Sequence, residues 1–116
     1  MQNRYVGDIG DYVKLAILRA LAAGRNLGVV WWMFPDQKHN KDGSFRKYLE
    51  RPQDWRKYDA DLFDALKKIV VAEDFNVHAI ETSGVLPKTV FIRDPVPCEC
   101  RPFRLRPGER EVDRFR

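Results

Sequence analysis

The sequence predicts an α/β fold: a small, mostly parallel sheet flanked by helices, with a βαβ crossover between Leu27 and Glu81, in the manner of an incomplete Rossmann-like fold. Three observations predict it. Leu27-Gly28-Val29-Val30-Trp31-Trp32-Met33 is short, continuously apolar and rich in β-branched and aromatic residues, the pattern of a strand covered on both faces. A helical apolar stripe, Leu62, Phe63, Leu66, Ile69 and Val70, follows it. A second β-rich run, Asn76-Val77-His78-Ala79-Ile80-Glu81, follows the stripe. Strand, helix and strand in that order give a right-handed parallel crossover.

Taken in order, residues 8–24 read as the first helix. Tyr12, Leu15, Ala16, Leu18 and Ala22 recur at helical spacing, Asp8 or Asp11 can cap the start, and Gly24 offers a left-handed stop. Phe34-Pro35-Asp36 ends the tryptophan-bearing strand, because proline cannot donate to a ladder. Residues 37–43 are polar and turn-rich, so they form a loop. Ser44 to Glu50 reads as a short helix interrupted by Arg51-Pro52. The next helix covers 60–71, with Asp59 or Asp61 at its cap and Lys67 and Lys68 favourable near its C-terminus. After a turn region from Ser83 to Pro87, Thr89-Val90-Phe91-Ile92-Arg93 reads as a further strand.

At 116 residues the chain supports one core, expected over residues 1–96. No run of eighteen apolar residues exists, which predicts no membrane partner, and no secretory-type stretch opens the sequence, which predicts a cytoplasmic protein. The net charge of +4 is uneven: residues 97–116 hold six arginines against four acidic groups, while 1–96 is nearly neutral. The sequence therefore predicts a poorly ordered arginine-rich tail over 97–116. Cys98 and Cys100 are too close for an unstrained bridge and read as reduced thiols, with a metal site completed by His39, His78 or a second chain as the other reading.

Two stretches carry candidate chemistry. In Gly7-Asp8-Ile9-Gly10-Asp11-Tyr12-x-Lys14, at a helix start, Gly7, Gly10 and Lys14 suit a phosphate, since free backbone N–H groups and a lysine one turn on favour an anion. Asp8 and Asp11 bring negative charge to the same place, and a Mg2+ ion between carboxylates and phosphate reconciles the two. The same residues also make a plain helix cap. In Pro35-Asp36-x-x-His39-Asn40-x-Asp42-Gly43, after the predicted central strand, Asp36, His39 and Asp42 are the candidate catalytic residues, and Asp36 joins Asp8 and Asp11 as a candidate metal ligand. Asn, Asp and Gly are equally the residues of a solvated turn. A nuclease motif is incomplete, because Glu81-Thr82-Ser83 lacks its lysine. Trp55 among Arg51, Arg56, Lys57 and Tyr58 suits a nucleic-acid strand, or a surface where basic stems lie over an aromatic.

Tyr5-Val6-Gly7-Asp8-Ile9-Gly10-Asp11-Tyr12-Val13-Lys14, the Leu27-Gly28-Val29 strand with Trp32, Pro35-Asp36, Asp42-Gly43, Asp61-x-Phe63-Asp64-x-Leu66, Ile80-Glu81 and Thr89-Val90-Phe91 resemble a group of bacterial and phage proteins of no established activity. The resemblance covers residues 3–94. Members of that group are longer and continue to an Asp-Pro-Asp-Asn-Gly-type loop, where this chain has Asp94-Pro95. The resemblance therefore implies a shortened member. It supplies no catalytic residue.

The functional expectation is a metal-assisted, enzyme-type domain acting on a phosphate-containing or nucleic-acid substrate, nucleotides included. It requires the Gly7–Lys14 segment to meet the Asp36–Gly43 loop. The alternative expectation is a non-catalytic binding or assembly module, a homo-oligomer completed through exposed sheet edges.

Overall fold

A computed structural model describes residues 1–37, 41 and 43–93. Helix α1 spans Ile9–Leu21, strand β1 Leu27–Val30, the single-turn helix α2 Pro52–Trp55, helix α3 Ala60–Val71, helix α4 Val77–Thr82 and strand β2 Thr89–Ile92. Short 3-10 turns occupy Asn3–Tyr5, Lys47–Glu50 and Arg56–Tyr58. The described residues are thus mixed α/β, with helices and one two-stranded parallel sheet. No helix among the described residues is long and apolar enough to cross a membrane. Cys98, Cys100 and the arginine-rich segment lie outside the described residues.

The two long helices form where their caps and stripes require them. Asp8 caps α1, its side chain accepting from the Gly10 N–H, and Asp59 caps α3 by accepting from the Leu62 N–H. The α3 stripe is buried as expected: Leu62, Phe63, Leu66 and Ile69 all face the core. Phe63 stands edge-on to Tyr12 and to Tyr48, with ring centroids 6.0 and 6.2 Å apart. Each such buried side chain contributes about 1.5–3 kcal/mol. The Ser44–Glu50 segment forms only the 3-10 turn at Lys47–Glu50.

Residues 76–81 are not a strand. Asn76 is extended, and its side chain accepts from the Ala79 N–H, starting α4. The Asn3 side chain accepts from the Val77 N–H and satisfies a second free donor of that helix. On a strand His78 and Ile80 would share a face. In the fold His78 is exposed while Ile80 is 1% exposed, a difference the helical repeat produces and alternation cannot. The partner of β1 is consequently β2, in the register Leu27↔Thr89 to Val30↔Ile92, and not the 76–81 segment the expected crossover required.

β1 is also shorter than the apolar run. It ends at Val30, because Trp32 adopts φ +49, off the extended region. The indole of Trp31 lies flat over Phe91, 6.1 Å away, and donates to Glu81 Oε1 at 3.0 Å. Trp32 is 64% exposed. The expected covering of both sheet faces is found on one. Leu27, Val29 and Phe91 pack toward the core. The other row, Gly28, Val30, Val90 and Ile92, is exposed.

Candidate functional site

The GDxGDYxK segment is held by its own polar groups. Asp8 accepts from Gly10 N–H at 2.9 Å and from Phe45 N–H at 2.8 Å, and the Ile9 N–H donates to the Phe45 carbonyl at 3.0 Å. Asp11 is buried; it accepts from the Gly7 N–H at 3.2 Å and meets Lys14 Nζ at 3.3 Å. Burial pushes the Asp11 carboxyl pKa up, against the opposing pull of Lys14 and the Gly7 N–H. Tyr12 donates to the Trp55 carbonyl at 2.7 Å, and Tyr48 donates to the Gly7 carbonyl at 2.9 Å. The Tyr48 phenol is raised by burial first and by the nearby Asp11 and Asp8 second.

Two glycines let these pieces close. A Cβ on Gly7 would stand 2.5 Å from Val70 Cγ2, and one on Gly43 would stand 1.8 Å from Tyr5 Cδ1. Both have positive φ, +86 and +77, so space and backbone exclude a side chain together.

A cleft of about 280 Å³ results, lined by Tyr5, Asp8, Gly10, Asp11, Lys14 and Gly43. Gly43, the last residue of the 36–43 loop, lines this cleft beside the N-terminal motif, and Phe45, beyond that loop, holds Asp8 and Ile9 through its backbone. Of the residues expected to hold a phosphate, Gly10 and Lys14 line the cleft; Gly7 does not, its N–H and carbonyl being used by Asp11 and Tyr48. Asp8 and Asp11 line it too. Asp36 does not: it is exposed and accepts from the Arg4 N–H at 3.1 Å. His39 and Asp42 lie outside the described residues. No three His, Cys, Asp or Glu among the described residues form a group able to hold a metal ion. All four oxygens of Asp8 and Asp11 already have partners in the fold.

A larger cleft of about 630 Å³ adjoins the first across the Ile9–Phe45 backbone pairing. Phe45, Tyr48 and Trp55 supply its aromatic walls, and Lys41, Lys47 and Arg51 bring cations to it. Among the described residues no acidic side chain is in its lining. Of these residues only Trp55 and Arg51 stand out in sequence reasoning. Phe45 was missed because its role depends on Asp8 and Ile9, 36 or more positions away, holding its backbone. The available signal was local: residues 44–58 hold five Lys/Arg against two Asp/Glu, together with four aromatics.

A third group sits by the sheet. Glu81 receives the Trp31 indole N–H, lies 3.5 Å from Arg93 Nε and meets His78 Nδ1 at 3.3 Å. His78 and Arg93 line a cleft of about 340 Å³ with Asn3 and Phe34.

The chain matches no protein-family model, no curated protein and no solved structure.

Proposed function

We propose that the domain is a non-catalytic assembly module whose sheet is covered by a second copy of the chain. The observation carrying this is the apolar row Val30, Val90 and Ile92, exposed beside Gly28 on a two-stranded parallel sheet. Parallel sheets are otherwise covered on both faces, because their crossover connections place helices there. In this reading β1 and β2 are part of an incomplete Rossmann-like sheet that the dimer completes, in a cytoplasmic protein of bacterial or phage type. Light scattering across the micromolar range tests it. The expected result is a dimer that dissociates on dilution and is lost in Val90→Lys while the melting temperature stays near that of the parent. A monomer at every concentration overturns the reading.

The raised carboxyl of Asp11, inside a cleft and beside Lys14, favours a second reading: a metal-assisted, enzyme-type site for a phosphate-containing or nucleic-acid substrate. In it Asp8 and Asp11 would share with Mg2+ the oxygens that accept from Gly10, Phe45 and Gly7, and Lys14 would turn from Asp11 to the phosphate. Two carboxylates suffice for Mg2+ when phosphate and water complete its shell. Bound to such a site, Mg2+ supplies charge neutralisation for the phosphate. Magnesium with a nucleotide then raises the melting temperature of the parent and leaves that of Asp8→Asn unchanged. No shift in the parent overturns this reading.

A further inference from the structure

We propose that the cleft between Phe45 and Trp55 binds single-stranded nucleic acid, with a base against the aromatic wall and phosphates on Lys41, Lys47 and Arg51. The proposal is independent of sheet assembly and requires no metal.

Four observations carry it. The cleft, at about 630 Å³, has the size of a small-ligand site, which runs to roughly 300–1,000 Å³. Its wall is aromatic and rigid. The Tyr48 hydroxyl is committed to the Gly7 carbonyl, and its ring meets Trp55 edge-on at 6.3 Å. Phe45 projects its ring to solvent, 61% exposed, from a backbone tied on both sides to Asp8 and Ile9. An exposed phenylalanine on a fixed backbone is a ready stacking plate, since every base has a π-face. Its cations are only partly spent: Arg51 pairs with Asp54 at 2.6 Å, while Lys41 and Lys47 have no acidic partner among the described residues.

The surface also continues past one nucleotide. Trp55 lies against Tyr58, which is exposed, and Lys57 sits over the Tyr58 ring at 5.4 Å. Aromatic rings with cations beside them suit a strand whose bases are splayed, and a duplex hides the base faces. An acidic protein partner would use the cations but leave the aromatic plates without a planar ligand. The favoured occupant is therefore the nucleic-acid strand.

The test is fluorescence anisotropy of a labelled pyrimidine oligonucleotide titrated with the full chain in a buffer containing EDTA, so that a failure of the metal reading leaves this result unaffected. Saturable binding is expected, with the matching duplex binding at least about ten-fold more weakly and a mononucleotide failing to displace the strand at equal concentration. Phe45→Ala weakens binding about five-fold or more, and Phe45→Trp restores it, which a purely structural role for Phe45 would not explain. Lys47→Glu weakens binding and lowers the salt slope by about one or more. Lys68→Glu, the same charge change on an exposed face of α3, stays within about two-fold. The proposal is overturned by absence of saturable binding, by an unchanged Phe45→Ala, by equal losses in Lys68→Glu and Lys47→Glu, or by a mononucleotide or duplex that binds as well as the strand.

Discussion

Asp11 shows how one residue serves the fold at a cost in electrostatics. Its carboxylate satisfies the Gly7 N–H and pairs with Lys14, yet burial raises its pKa above the ordinary 3.8. A carboxyl raised in the folded state is protonated there while its unfolded counterpart has already ionised. The folded state then holds more protons, so stability is full below pH 3.8 and falls as pH rises through the folded value. Asp11→Asn keeps an acceptor for Gly7 and removes the buried charge. Urea titrations at several pH values are expected to show the variant gaining on the parent as pH rises; a gap that does not change with pH rules the account out. The composition of the GDxGDYxK segment revealed this residue as special, but its burial was not readable there. The segment around it is closed by tertiary contacts, Phe45 holding Asp8 and Tyr48 holding Gly7 from 37 and 41 residues away.

At the scale of elements, Asp59 joins α1 to α3. It caps α3 through the Leu62 N–H at 3.2 Å and receives Arg19 from α1 at 2.7 Å, both groups being mostly buried. Losing a cap costs about 1 kcal/mol. Leaving Arg19 with only the Val85 carbonyl adds a loss of similar size. Asp59→Ala is thus expected to lower the unfolding free energy by about 2–3 kcal/mol in denaturant titration, with Asp59→Asn intermediate because the amide oxygen still caps. The α3 span was legible because the Leu62-Phe63-Leu66-Ile69 stripe is a local signal, while the cap was narrowed only to Asp59 or Asp61, and the fold uses Asp59. The 76–81 segment was misread for the opposite reason. Val77, Ala79 and Ile80 suit a strand and a short helix alike, and the choice falls to Asn76 and Asn3, whose side chains satisfy the first N–H groups of a helix.

For the molecule as a whole, Phe63 is the hub: it is 1% exposed and touches the rings of Tyr12 and Tyr48, which in turn hold Trp55, Asp59 and Gly7 by hydrogen bonds. Phe63→Ala is expected to cost about 3–5 kcal/mol, against a total of only about 5–15 for a domain. The melting temperature should fall by on the order of 15 °C, and a calorimetric shift of only a few degrees would show the hub to be peripheral. The sheet is the counterpart of this core. Its inner row is packed, its outer row is open, and association through that row is the property the light-scattering comparison of parent and Val90→Lys measures.

The amino-acid sequence by itself determined the mixed α/β class and the places of α1, α3, β1 and β2, and narrowed each cap to two aspartates, because those depend on side chains within a few positions of one another. Tertiary structure alone decided that β1 pairs with β2 across α3 and α4, that 76–81 coils, that Asp8 and Asp11 turn inward to hold Gly7 and Phe45, and that Phe45 and Trp55 face a common cleft. The pairing of β1 with β2, the Asn3 contact that helps start α4 and the hold of Asp8 on Phe45 join residues tens of positions apart, and such contacts leave no trace in the local pattern of either segment.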